Sequence, residues 1–187
     1  MLSSRKITLP VIAAVVLAMC GCTTTQLPIA VENGNGSLAI HTGGFRTCTI
    51  VRPPAKGIVT GYHIENVGLE PLTLTSIRLT ESTGLGFLDS VVLPEYAGIG
   101  TMNYPLTGEE ITNMWWDRRK PVKGYLLQAR QGAEIELAVG LEKGKRKGSF
   151  TDFVIDYVDS SGNAMVVHSA DTQLDVYMDG ECEEEDY

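Results

Sequence analysis

Alternation of apolar and polar side chains at period two restricts this chain more than any other feature. In Ala133-Glu-Ile-Glu-Leu-Ala-Val-Gly-Leu141, the residues Ile135, Leu137, Val139 and Leu141 fall on one side. Phe153, Ile155 and Tyr157 repeat the pattern within residues 149–158. Successive strand side chains point to opposite faces, so such a run belongs to a strand with one face in a core; a helix would scatter it around its circumference. Asp159-Ser-Ser-Gly-Asn163 supplies a turn and residues 164–169 return, which predicts a hairpin. Residues 57–66 and 72–80 flank a turn at 67–71, and a change of phase between Leu74 and Ile77 predicts a bulge. Further strands are expected at 47–51, 86–93, 124–129 and 173–178. About eight short strands, β-branched and aromatic, with Gly, Pro and Asp turns between them, predict an all-β chain folded as an antiparallel β-sandwich. No Gly-Xaa-Gly loop opens onto a helix, which argues against nucleotide-binding folds.

The start of the chain is of another kind. Arg5 and Lys6 precede a nearly unbroken apolar run over residues 7–19, then Cys20-Gly21-Cys22 and the polar Thr23-Thr-Thr-Gln26. An apolar run of about thirteen residues is too short for a spanning helix, which needs roughly 20. With basic residues before it and small ones after it, it reads as a secretory signal over residues 1–21 that is removed. The cysteine at the cut resembles the lipobox of bacterial lipoproteins, in which that cysteine is acylated and becomes the new N-terminus. Gly21 before Cys22 suits the small residue such a site prefers, and Leu17-Ala-Met-Cys20 is the competing register. The cysteine count favours Cys22: cleavage there discards Cys20 and leaves Cys48 and Cys182 as an even pair in an oxidising compartment. The resemblance implies multiple acylation of Cys22 and attachment to the extracytoplasmic face of the cell membrane; one acyl chain alone holds only marginally.

Residues 22–46, with Pro28 and Asn33-Gly-Asn-Gly36, read as a flexible tether, 47–180 as the sandwich domain and 181–187 as a solvated acidic tail. Taking Arg5 and Lys6 from the 15 basic residues leaves 13 against 23 acidic ones, a net charge of −10. That excludes nucleic acid as the expected partner, because phosphates demand a basic face. It also leaves membrane attachment to the lipid rather than to charge.

Several motifs carry a broader likeness: Cys48 early in the domain, Asn66-Xaa-Gly-Xaa-Xaa-Pro-Leu72, Trp116-Xaa-Arg-Arg119 and the final Cys182. Together they are similar to uncharacterised secreted proteins and lipoproteins of Gram-positive, actinobacterial type. Glu65-Asn-Val-Gly-Leu-Glu-Pro-Leu72 resembles hairpins of bacterial immunoglobulin-like domains. The likeness implies an immunoglobulin-like sandwich and brings no activity with it. Chain ends often run close together in such a sandwich, so a Cys48–Cys182 disulfide is expected.

Candidate chemistry is sparse. Residues 94–122 form a connection long enough to be functional or locally self-packed. It holds Trp115 and Trp116 beside Arg118, Arg119 and Lys120. Adjacent aromatics and cations can stack on a glycan or a protein surface, which makes Trp115, Trp116, Arg118 and Arg119 the candidate binding residues. The competing view has one indole plugging the end of the sandwich while Arg119 pairs with a carboxylate. The basic run Lys143-Gly-Lys-Arg-Lys147 reads as solvated charge at a hairpin tip. His41, His63 and His168, with four methionines of the domain, show no His-Xaa-Met or Met-Xaa-Met spacing, so no metal ligands and no cofactor are assigned. No Gly-Xaa-Ser-Xaa-Gly elbow points to a serine hydrolase; Glu109, Glu110 and Asp117 offer the minimum for glycoside hydrolysis, but paired acids are commonplace in so acidic a chain. The expected function is a non-catalytic cell-envelope lipoprotein presenting its sandwich to a protein or glycan. An envelope copper carrier of cupredoxin-like type, or a glycan-active enzyme, is the alternative.

Overall fold

A computed structural model describes residues 36–42, 46–95, 100–108, 116–169, 172–180 and 182. In chain order its strands are β1 (Leu38–His41), β2 (Arg46–Ile50), β3 (Gly57–Asn66), β4 (Leu72–Thr83), β5 (Leu85–Leu93) and β6 (Met102–Tyr104). A single 3₁₀ turn, Trp116–Arg118, leads to β7 (Lys120–Pro121), β8 (Leu126–Leu127), β9 (Gly132–Leu141), β10 (Lys147–Val158), β11 (Ala164–His168) and β12 (Gln173–Tyr177). One sheet runs β1-β3-β9-β5-β7 with β6 also beside β3; the other runs β2-β12-β10-β4-β8 with β11 also beside β10. The described residues are all-β, two sheets packed face to face as a sandwich. Every pair is antiparallel but for β2 on β12, which run parallel.

The alternation read from β9 and β10 builds the core. Ile135, Leu137 and Val139 are fully buried with Ile58 and Ile64 of β3. Facing them are Leu72, Leu74, Phe150, Phe153, Ile155 and Tyr157 of the second sheet. Tyr62 and Phe153 meet between the sheets with ring centroids 4.7 Å apart. Each such side chain contributes roughly 1.5–3 kcal/mol by leaving water. The predicted bulge lies at Thr75: Asp156 stands opposite Ser76 and Tyr157 opposite Leu74, leaving one residue of β4 unmatched. The β4–β5 connection passes from one sheet to the other at Gly84, whose φ is +67°. A Cβ there would sit 2.8 Å from the Lys147 carbonyl oxygen, so the corner demands glycine twice over.

Among the described residues there are twelve strands, where the sequence located nine. The added ones, β1, β6 and β7, are too short to display a period. β1 also moves a boundary: Leu38, Ala39 and Ile40 are buried and pair with β3, so the sandwich begins before residue 47 and takes in part of the expected tether. Residues 1–21 and most of 22–46, including Cys22, lie outside the described residues, as does most of the tail. Among the described residues no helix is long and apolar enough to cross a membrane. Cys48 in β2 is disulfide-bonded to Cys182 beyond β12, with Cα atoms 5.8 Å apart.

Candidate functional site

The long connection is a strap. Beyond β5 the chain reappears as β6 against the start of β3, with Tyr104 opposite Gly57 and Met102 opposite Val59. It then returns as β7 against β5, with Pro121 opposite Val91. β3 and β5 flank β9 on its two sides, and Leu106 and Trp116, after β6 and before β7, both lie against the outer face of the first sheet. A second apolar cluster forms beneath it from Val59, Val91, Leu106 and Trp116, edged by Met102 and Tyr104.

Trp116 does not itself offer an exposed indole. Its indole is only 8 % exposed, and it packs on the outside of a sheet rather than in the end of the sandwich. Trp115 lies outside the described residues, as do Glu109 and Glu110. Arg119 stands over the Trp116 ring, 5.5 Å from its centroid, and donates to the Trp116 carbonyl at 2.9 Å. Arg118 pairs with Glu95 at 3.3 Å on the surface, where ion pairs contribute little. What the strap leaves open is a shallow groove of about 480 Å³ lined by Asp89, Ser90, Val91, Asp117, Arg119, Lys120 and Pro121. Tyr104 donates to Asp89 at 3.2 Å along this region. Its two acids and two cations give the groove a mixed charge beside Val91 and Pro121.

The outer face of this sheet also holds an electrostatic feature that the alternation conceals. Glu134 and Glu136 occupy the polar positions of β9 and should face water, yet they are 2 % and 1 % exposed. Burial, and then the neighbouring Glu134, push the Glu136 carboxyl up to about 9. At neutral pH Glu136 is therefore a neutral acid, and neither of its oxygens has a hydrogen-bond partner among the described residues.

The β1–β3 ladder brings together two of the three histidines. His41 lies directly opposite His63, and their rings are 5.0 Å apart. Glu65, two residues on, points to the same face, and its Oε2 is 3.5 Å from His41 Nε2. The three side chains can each offer one ligand atom within 4.8 Å of the others. Nothing in local spacing announces this cluster, because 22 residues separate the histidines and only the register joins them. His168 lies elsewhere. Its Nδ1 is 2.8 Å from Asp152, whose other oxygen accepts from the Ser169 hydroxyl at 3.2 Å. Ser169 is fully buried and also accepts from the Phe153 amide, so this trio clasps strand ends together. In the basic run, Arg146 pairs with Asp179 and Lys147 sits over the Tyr177 ring at 4.7 Å.

No protein-family model and no curated protein matches this chain. Among solved structures, it is similar to the ASH/PapD-like domain 7 of human CEP192, at 11 % identity and a TM-score of 0.37, over 79 % of this chain and 88 % of that one. It is also similar to the Vibrio cholerae VesB protease, at 12 % identity and a TM-score of 0.34, and to the secreted serine protease VesC of the same organism, at 10 % and 0.35. These cover 75 % and 76 % of this chain but only 32 % and 23 % of the proteases, so the chain spans about a third of VesB and less than a quarter of VesC. All three likenesses are distant in sequence and geometry, and none of these proteins' named properties passes to this chain.

Proposed function

We propose that this chain is a lipid-anchored cell-envelope protein that presents an immunoglobulin-like sandwich to a protein or glycan partner and catalyses no reaction of its own. The observation that carries the reading is the Cys48–Cys182 disulfide. Structural disulfides persist in oxidising compartments, so the bridge agrees with the export that the basic and apolar start of the chain encodes. Acylation of Cys22 then supplies the attachment that a chain of strongly negative charge lacks. The contact surface is the mixed-charge groove beside the strap, with Arg119 and Lys120 facing Asp89 and Asp117. Its shallow form suits a partner's surface better than an enclosed small molecule.

The test is fractionation of cells producing the full chain. Cys22→Ser should move the protein out of the membrane fraction or leave an unprocessed precursor, while Cys20→Ser should change nothing. Retention of the mature Cys22→Ser protein in the membrane would defeat the anchor. Turnover of a glycan by the purified protein would defeat the non-catalytic reading.

A further inference from the structure

The histidine pair on the outer edge of the first sheet has no part in the groove or in the anchor. His41 and His63 are cross-strand neighbours, a geometry that holds two Cβ atoms about 4.5–5.5 Å apart. Glu65 follows at the next position on the same face of β3, beside Ala39 of β1. Opposite Glu65 on β9 stands Gly132. A Cβ on Gly132 would lie 2.8 Å from His63 Cε1 and 3.2 Å from its Nε2, so glycine is what lets the imidazole occupy this place. All three ligand-bearing residues are half-buried: sheltered enough to order a ligand set and open enough for an ion to enter.

We propose that His41, His63 and Glu65 form a binding site for a divalent transition cation of the zinc class. The set has two borderline imidazole nitrogens and one carboxylate oxygen, which suits zinc, nickel or copper(II) and not the all-oxygen preference of calcium or magnesium. Bonds of about 2.0–2.2 Å to a tetrahedral ion place ligand atoms roughly 3.4 Å apart. The His41–Glu65 separation of 3.5 Å already meets that distance. Closing the remaining span from within 4.8 Å asks for side-chain rotation and no backbone movement. Three protein ligands leave a coordination position open. Bound there, the ion would pin β1 to β3 at the point where the chain enters the sandwich.

Titration of the full chain, solubilised in detergent, with zinc(II) followed by calorimetry tests the site. One ion should bind per chain with a micromolar or tighter dissociation constant, and cobalt(II) should give the visible absorption of a four- or five-coordinate centre. His63→Ala should weaken zinc binding at least tenfold, and Glu65→Gln, which leaves the apolar packing untouched, should weaken it measurably. His168→Ala should leave it unchanged. Thermal melts check that each variant is folded and should show zinc raising the melting temperature of the parent and not of His63→Ala. Binding weaker than about 100 μM, or tight binding that survives in the His41→Ala/His63→Ala double variant, would overturn the assignment.

Discussion

Individual residues here depart most from what their place in the sequence implies. Glu136 sits at a polar position of an alternating strand and is nevertheless buried and held neutral. Its carboxyl ionises near its ordinary value in the unfolded chain and near 9 in the folded one. The folded state thus keeps a proton that the unfolded state gives up, and stability falls as pH rises from about 4.5 towards 9. Glu136→Gln keeps the shape and removes the titration, so denaturation midpoints measured at pH 5, 7 and 9 should decline less steeply in the variant than in the parent. An unchanged slope would mean that Glu136 does not titrate as a buried acid. Asn66 shows the opposite case, a residue whose role was legible. Its carboxamide donates to the Glu70 and Leu127 carbonyls at 2.8 and 3.2 Å, and its oxygen accepts from the Gly68 amide at 3.0 Å. The Asn-Xaa-Gly spacing displays that turn because its partners begin two residues away. Glu136 is buried by the tertiary packing around it, and alternation alone cannot register that.

At the scale of elements, legibility follows length and locality. β3, β4, β9 and β10 are long enough to complete several periods, and the sequence places them within a few residues of their observed ends. β6 and β7, three and two residues long, exist because the strap lies across a sheet, a tertiary cause with no local pattern. β1 escapes notice for a related reason: four residues beside a glycine-rich stretch resemble the end of a tether until β3 pairs with them. The strap itself hangs on Trp116, whose indole joins Leu106 to Val59 and Val91. Trp116→Ala should cost about 3 kcal/mol, the low end for a buried aromatic, because the cluster lies outside the main core. Amide exchange should quicken at Val59 and Val91 while Ile135 and Phe153 keep their protection. Uniform loss of protection across both sheets would show that the strap and the sandwich unfold as one unit.

For the whole molecule, the bridge between β2 and the residues after β12 is the longest-range constraint. It spans 134 residues, for which the chain-entropy model gives roughly 4–5 kcal/mol of stabilisation. The two cysteines were legible as a pair by count, while the closeness of the chain ends depended on the fold. Under tension the same bond becomes a bypass. A pull applied on either side of the bridge runs through β1 to Cys48, crosses the sulfurs and leaves at Cys182, so the loop between the two cysteines is not drawn out end to end. In a single-molecule force experiment the oxidised protein should lengthen only by peeling β1 from β3 and the start of β2, Arg46 and Thr47, from β12. Adding a reductant should then release roughly 450 Å of further extension as the enclosed loop pays out. A large extension before reduction would mean that the bond is absent from the folded protein. With the membrane anchor proposed above, the arrangement would work as a shunt: drag at the far end would strain the mooring line and spare the sandwich.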